Sequence, residues 1–127
     1  IIQFLNKLLK KTNHQTVAFL SELTKQIHKD FTVETREEGE PFKPDYTFSE
    51  KIGSCRDLSW MQIHMLRHLG IAARFVSGYF YMQADKPVFE LHAWVEVFLP
   101  GAGWIGFDPS HGIITSCYHI PLASSSF

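Results

Sequence analysis

Several things that would narrow the reading quickly are scarce or missing from this sequence. It has only two cysteines, Cys55 and Cys117, 62 positions apart. Two thiols can close one bridge but cannot make a disulfide framework, and a thiol in a reactive setting is the better account of at least one of them. No stretch approaches the ~18 consecutive apolar residues that span a bilayer. The apolar, lysine-containing opening also lacks the small-residue cleavage pattern of a secretory signal. These absences lead to the expectation of no membrane partner and of a cytoplasmic setting. Charge of one sign is not in excess either, with a formal net charge of −1. The one short basic cluster, Lys7, Lys10 and Lys11, has no aromatic residues interleaved, which excludes nucleic acid as an expected partner. No loop carries acidic residues at alternating positions as a calcium loop does, so neither a metal nor another cofactor is expected. There is no internal repeat. The opening at Ile1 without a methionine and the closing Ala-Ser-Ser-Ser-Phe read as a portion of a longer protein.

What is present fits one α+β domain. With 127 residues, 45% of them hydrophobic and eleven of them Phe, the chain can bury a core unaided. Ile1, Phe4, Leu5, Leu8 and Leu9 recur at helical spacing, as do Val17, Leu20, Leu23 (or Phe19 and Leu23) and Ile27. This predicts a helical lead-in over 1–30. Residues 31–52 carry Gly39, Pro41, Pro44 and a charged run from Glu34 to Glu40, and read as a solvated connection with a short strand at 31–35. Ser54 followed three residues later by Asp57 is a helix-capping arrangement, with Asp in place of the usual Glu, that starts a helix at Cys55. Its apolar face runs through Leu58, Met61, Met65, Leu66 and Leu69 to a stop at Gly70. The period then changes to two. Strands are predicted over 74–81 and 88–99 with a turn at Asp85-Lys86-Pro87, and over 104–108 after Pro100-Gly101-Ala102-Gly103. In the second strand, Leu91, Ala93, Val95 and Val97 should face the core, alternating with His92, Trp94, Glu96 and Phe98. The core thus covers 53–112, and the tail at 113–127 shows no legible period.

A thiol attacks an amide as its thiolate. It therefore needs an electropositive setting, a base within reach, and a third group to hold that base. Cys55 at the first helical position meets unpaired N–H groups and roughly half a positive charge, which favour the thiolate. His92 in one strand and Asp108 at the end of the next are brought close by antiparallel pairing. Each has a plainer reading as a small core hydrophobe, a surface histidine or a turn residue. His64 and His68, at i and i+4, lack a third ligand and read as an exposed helix face. Cys117 and His119 lie in the illegible tail and receive no role. Trp94 and Trp104 read as core residues with a second use as walls of a substrate cleft. Arg56 and Asp57 read as ordinary first-turn residues and Gly53 as a point of close approach.

Four blocks, in order, shift that balance: Gly53-Ser54-Cys55-Arg56-Asp57, Leu69 to Tyr79, His92-Ala93-Trp94-Val95-Glu96-Val97, and Gly103 to Ser110. Over residues 53–112 the chain resembles the core of bacterial transglutaminase-like proteins. The resemblance implies a papain-like cysteine proteinase fold, with a Cys-bearing helix packed on an antiparallel sheet, and catalytic positions at Cys55, His92 and Asp108. It further implies thiol-dependent acyl transfer on a protein or peptide carboxamide through a thioester, with a primary amine as acceptor. The same triad serves a protease or amidase when water is the acceptor, and an interaction module that has kept the fold is the third reading. Two departures stand out. No Trp precedes Cys55 to assist an oxyanion, and the strands expected after 112 are not recognisable.

Overall fold

The computed structural model of the chain describes residues 1–36, 39–82 and 88–125. The turn expected at Asp85-Lys86-Pro87, and Glu37 and Glu38 of the charged run, lie outside the described residues. Helices α1 (Ile2–Lys11) and α2 (Thr16–Asp30) form the lead-in. In α2 the inward set is Phe19, Leu20, Leu23 and Ile27, so both stripes offered by the sequence pack except for Val17, which is exposed. β1 (Thr32–Val33) pairs in parallel with β2 (Ile52–Gly53). Between them lies α3 (Pro44–Glu50), where the sequence predicts only a loop. Pro44 at its first turn is a helix-starting proline, since that position has no N–H to donate inside the helix. Seven residues are too few for a 3.6-residue period to show.

Helix α4 (Cys55–His68) is the centre of the fold. Leu58, Met61, Ile63, Met65 and Leu66 are all almost fully buried. It packs on β4 and β3 of a five-stranded antiparallel sheet with the order β6-β5-β4-β3-β7, made of β3 (Ala73–Met82), β4 (Val88–Leu99), β5 (Gly103–Asp108), β6 (Ile113–Ile114) and β7 (His119–Ser125). Val95, Val97 and Phe107 join the helices in one core cluster. Leu91, expected on the inward face of β4, is 76% exposed, whereas Ala93, Val95 and Val97 are buried as expected. Trp94, expected opposite them, is buried as well, with the His119 ring against the indole at 5.1 Å and the His92 ring at 6.1 Å.

The last two strands correct the reading of 113–127 as a tail. β7 pairs with β3 through a register shift at Ser77/Gly78. A Cβ at Gly78 would lie 2.1 Å from the Ile120 carbonyl oxygen, so only glycine lets β7 approach there. Pro121 is tolerated because β7 is an edge strand. Among the described residues no helix is long and apolar enough to cross a membrane.

Candidate active site

The first turn of α4 is held unusually firmly. Ser54 Oγ accepts the Asp57 N–H at 3.3 Å and the Ser54 N–H donates to Asp57 Oδ2 at 2.8 Å, a closed capping box. Asp57 is completely buried and also accepts the Phe42 N–H at 2.8 Å and an ion pair from Arg36. Burial pushes its carboxyl up, but these donors overcome burial and hold it below the usual carboxylate range. Arg56 donates to the Gly39 carbonyl at 2.8 Å. Together the two residues tie the 36–42 connection to the start of α4, a larger part than ordinary first-turn residues play. A Cβ at Gly53 would stand 2.7 Å from Asp57 Cβ, so glycine is required where the chain turns into the box. Cys55 follows at the first helical position, half-buried and not in a disulfide, against the positive end of the helix.

His92 reaches the same place from β4, which is fastened to α4 by Ser59 Oγ donating to the Ala93 carbonyl at 3.3 Å. Its Nε2 donates to Asp108 Oδ2 at 2.8 Å. That leaves Nδ1 for the thiol. Burial lowers the basicity of the ring, but hydrogen bonds and charge from Asp108 and Cys55 outweigh it and raise His92 to about 9. Asp108 is wholly buried at the end of β5. Its Oδ1 accepts the Ser110 N–H at 3.0 Å and the His111 N–H at 3.3 Å, fixing the carboxylate to the turn before β6. Burial again opposes ionisation. Donation from His111, His119 and His92 overcomes it and drives the carboxyl far below its ordinary value.

Two of those donors were missed by sequence reasoning. His111 Nδ1 lies 2.8 Å and His119 Nε2 2.7 Å from the same Oδ2. His119 is buried, and its Nδ1 accepts the Ser116 N–H at 3.0 Å, so the ring proton must sit on Nε2, facing Asp108. Phe80 lies among the three imidazoles, with ring centroids 5.6 Å from His92, 4.4 Å from His111 and 4.8 Å from His119. His111, three residues after Asp108, was open to a local reading. His119 arrives only through the pairing of β7 with β3.

The remaining candidates divide clearly. Trp94 is buried under His92 and His119 and cannot line a cleft. Trp104 is 39% exposed and lies beneath the Arg74 guanidinium at 4.0 Å, and its ring contacts among the described residues do not include Cys55, His92 or Asp108. Cys117 is exposed and unbridged. His64 and His68 are exposed on α4 and line a separate concavity of about 620 Å³ with Ile1, Pro44 and Met61.

A thiol at a helix N-terminus beside a histidine and aspartate carried on an antiparallel sheet defines a papain-like thiol fold. The chain belongs to the Transglutaminase-like superfamily, whose profile matches residues 2–109. It is 34% identical over 98 residues to the uncharacterized protein YebA of Bacillus subtilis, covering 65% of this chain and 13% of that one. It is 26% identical over 117 residues to a protein-glutamine gamma-glutamyltransferase of Pseudomonas aeruginosa, covering 83% of this chain and 17% of that one. The chain therefore spans less than a fifth of the length of these relatives. Among solved structures, a candidate cysteine protease from Cytophaga hutchinsonii superposes with a TM-score of 0.76 at 21% identity, over 98% of this chain and 42% of that one.

Proposed function

We propose that the chain carries out thiol-dependent acyl transfer on protein or peptide carboxamides, with Cys55 as nucleophile, His92 as general acid and base, and Asp108 as the group that orients His92. The observation that carries this reading is the convergence of Cys55, from the first turn of α4, and Asp108, from the end of β5, on the imidazole of His92. Asp108 fixes Nε2 at 2.8 Å, and Cys55 lies near enough to the ring to raise its basicity. A ring near 9 is protonated at neutral pH and sets a positive charge beside the thiol, the electropositive setting that nucleophilic attack by sulfur needs.

The Cys55 thiolate adds to the carboxamide carbon, and the oxyanion forms near the first-turn N–H groups of α4. The C–N bond breaks as the His92 imidazolium gives its proton to the departing ammonia, leaving a thioester. A primary amine then gives a proton to His92 as it attacks, the C–S bond breaks, and an amide and the thiolate are left. Water in the amine's place gives deamidation, and a peptide bond in the carboxamide's place gives proteolysis. The same residues serve each outcome. The activity for which the Pseudomonas relative is named supports the amine acceptor.

The test separates an enzyme from an interaction module that has kept the fold. Limiting iodoacetamide at about pH 6 should label Cys55 far faster than the exposed Cys117. Equal, slow labelling of the two would favour the module.

A further inference from the structure

Asp108 Oδ2 stands where three imidazoles meet, with His92 Nε2 at 2.8 Å, His111 Nδ1 at 2.8 Å and His119 Nε2 at 2.7 Å. A carboxylate oxygen offers about two lone-pair sites, so three ring donors on one oxygen are one too many. The four side-chain ligand atoms also lie within 4.8 Å of one another. We propose that His92, His111 and Asp108 form an inhibitory site for a borderline divalent cation, zinc above all, with His119 as an outer partner that holds the carboxylate. The inhibitory half of this proposal rests on the acyl-transfer reading. The binding half does not.

The tautomers assign the parts. To bind a metal, His119 would need a bare Nε2 and a proton on Nδ1, where that proton would meet the Ser116 N–H head-on at 3.0 Å. His119 therefore stays a donor to Asp108, the usual hydrogen-bond support of a ligating carboxylate. His111 has no such conflict. Its Nδ1 faces Asp108, its side chain is 39% exposed so that Nε2 can carry the proton in water, and Phe80 stacks on its ring at 4.4 Å and 23°. His92 offers Nε2 and keeps its proton on Nδ1, toward Cys55.

Two imidazoles and one carboxylate with a position left for water form a zinc-type donor set, whereas calcium needs six or more oxygens. Tetrahedral bonds of ~2.0–2.2 Å place neighbouring ligand atoms about 3.3–3.6 Å apart, so the present N···O spacings of 2.8 Å must open by about 0.5–0.8 Å. His111, exposed on the turn after β5, is the ligand able to shift and the route by which the ion arrives. Once zinc is bound, His92 has metal on one ring nitrogen and a proton on the other. It can no longer take a proton from the thiol or from an amine.

The experiment is zinc competition against a chromophoric chelator, run on the unsubstituted protein, Cys55→Ala and His111→Gln, with cobalt(II) spectra of each. The proposal expects about one zinc per chain in the unsubstituted protein and in Cys55→Ala. Affinity should fall at least ~tenfold in His111→Gln, and the cobalt spectrum should show ligand-field bands without a sulfur-to-cobalt charge-transfer band. Because His111 is largely on the surface, its replacement should fold, which matching far-UV circular dichroism would verify. Loss of zinc in Cys55→Ala, unchanged zinc binding in His111→Gln, or no zinc in any of the three would overturn the site. Since the readout is binding to a chain without the thiol, a protein that binds zinc this way yet transfers no acyl group would sink the proposed function alone. An active protein that fails the zinc test would sink only the site.

Discussion

Replacing Asp108 by Asn keeps the shape of the side chain and removes its charge, so it isolates what the carboxylate does. Asp108 is first among the groups that raise His92, which stands at about 9 against an ordinary 6.5. The gap is worth at most ~3.5 kcal/mol of preference for the imidazolium at ~1.4 kcal/mol per unit, and Cys55 supplies part of it. With Asn, burial is left with only Cys55 to oppose it, and the ring should return toward or below its ordinary value. Cys55 loses its counter-ion, and its alkylation at about pH 6 should slow by up to ~two orders of magnitude, read as the behaviour of a coupled pair. Stability changes with a defined sign. A histidine raised on folding contributes stability that is full below about 6.5 and is lost as pH rises through about 9. Asp108→Asn should flatten that decline. The substitution should also cost ~1–3 kcal/mol, because in either amide orientation the new NH2 group faces donors: the Nε2–H of buried His119 on one side, or the Ser110 and His111 N–H groups on the other. The assay is the pH profile of Cys55 alkylation with Cys117 as internal reference, beside thermal melts across the same range. Profiles that superimpose on those of the unsubstituted protein would refute the reasoning.

Other expectations concern the support of the first turn of α4, where Cys55 sits. Gly53→Ala forces a methyl group to 2.7 Å from Asp57 Cβ and should destabilise the fold by ~1–3 kcal/mol in chemical denaturation. Arg36→Ala leaves a buried carboxylate without its cation and should cost ~3 kcal/mol, the lower end for a broken buried pair, because the Phe42 and Ser54 N–H groups remain. Asp57 is lowered on folding, so its contribution is present above the ordinary 3.8 and is lost as pH falls below it. The gap between Arg36→Ala and the unsubstituted protein should accordingly narrow in acid. Treatment with EDTA should not lower turnover, since no step uses a cation; activity lost on chelation and restored by calcium would contradict the mechanism.

The parts of the fold legible in the sequence are those built from local chemistry. The start of α4 is specified within four residues by Ser54 and Asp57, and the helix begins at Cys55 as the capping pattern requires. β3, β4 and β5 fall within a residue or so of their expected bounds because a helix-covered sheet imposes alternation, although Leu91 and Trp94 depart from it at the site. β7 was illegible for a related reason. Every residue from Ile120 to Leu122 is exposed, so no buried stripe marks the strand, and Pro121 argues against one. The site divides in the same way. His92 and Asp108 sit on strands joined by a short turn, and their contact could be expected from pairing alone. The convergence of His111 and His119 on the same oxygen depends on the turn after β5 and on the long return of β7 to β3, and no local spacing encodes that.

The claim that Cys55 is the acylated nucleophile is tested most directly by trapping the thioester. The protein is incubated at about neutral pH with a small activated ester, whose leaving group removes the need to know the natural substrate, and the acylated peptide is located by mass spectrometry. The account predicts one acyl group per chain, on Cys55, released by added primary amine and absent from Cys55→Ala. Acylation spread over Cys117 and surface lysines at the same rate in both proteins would contradict it.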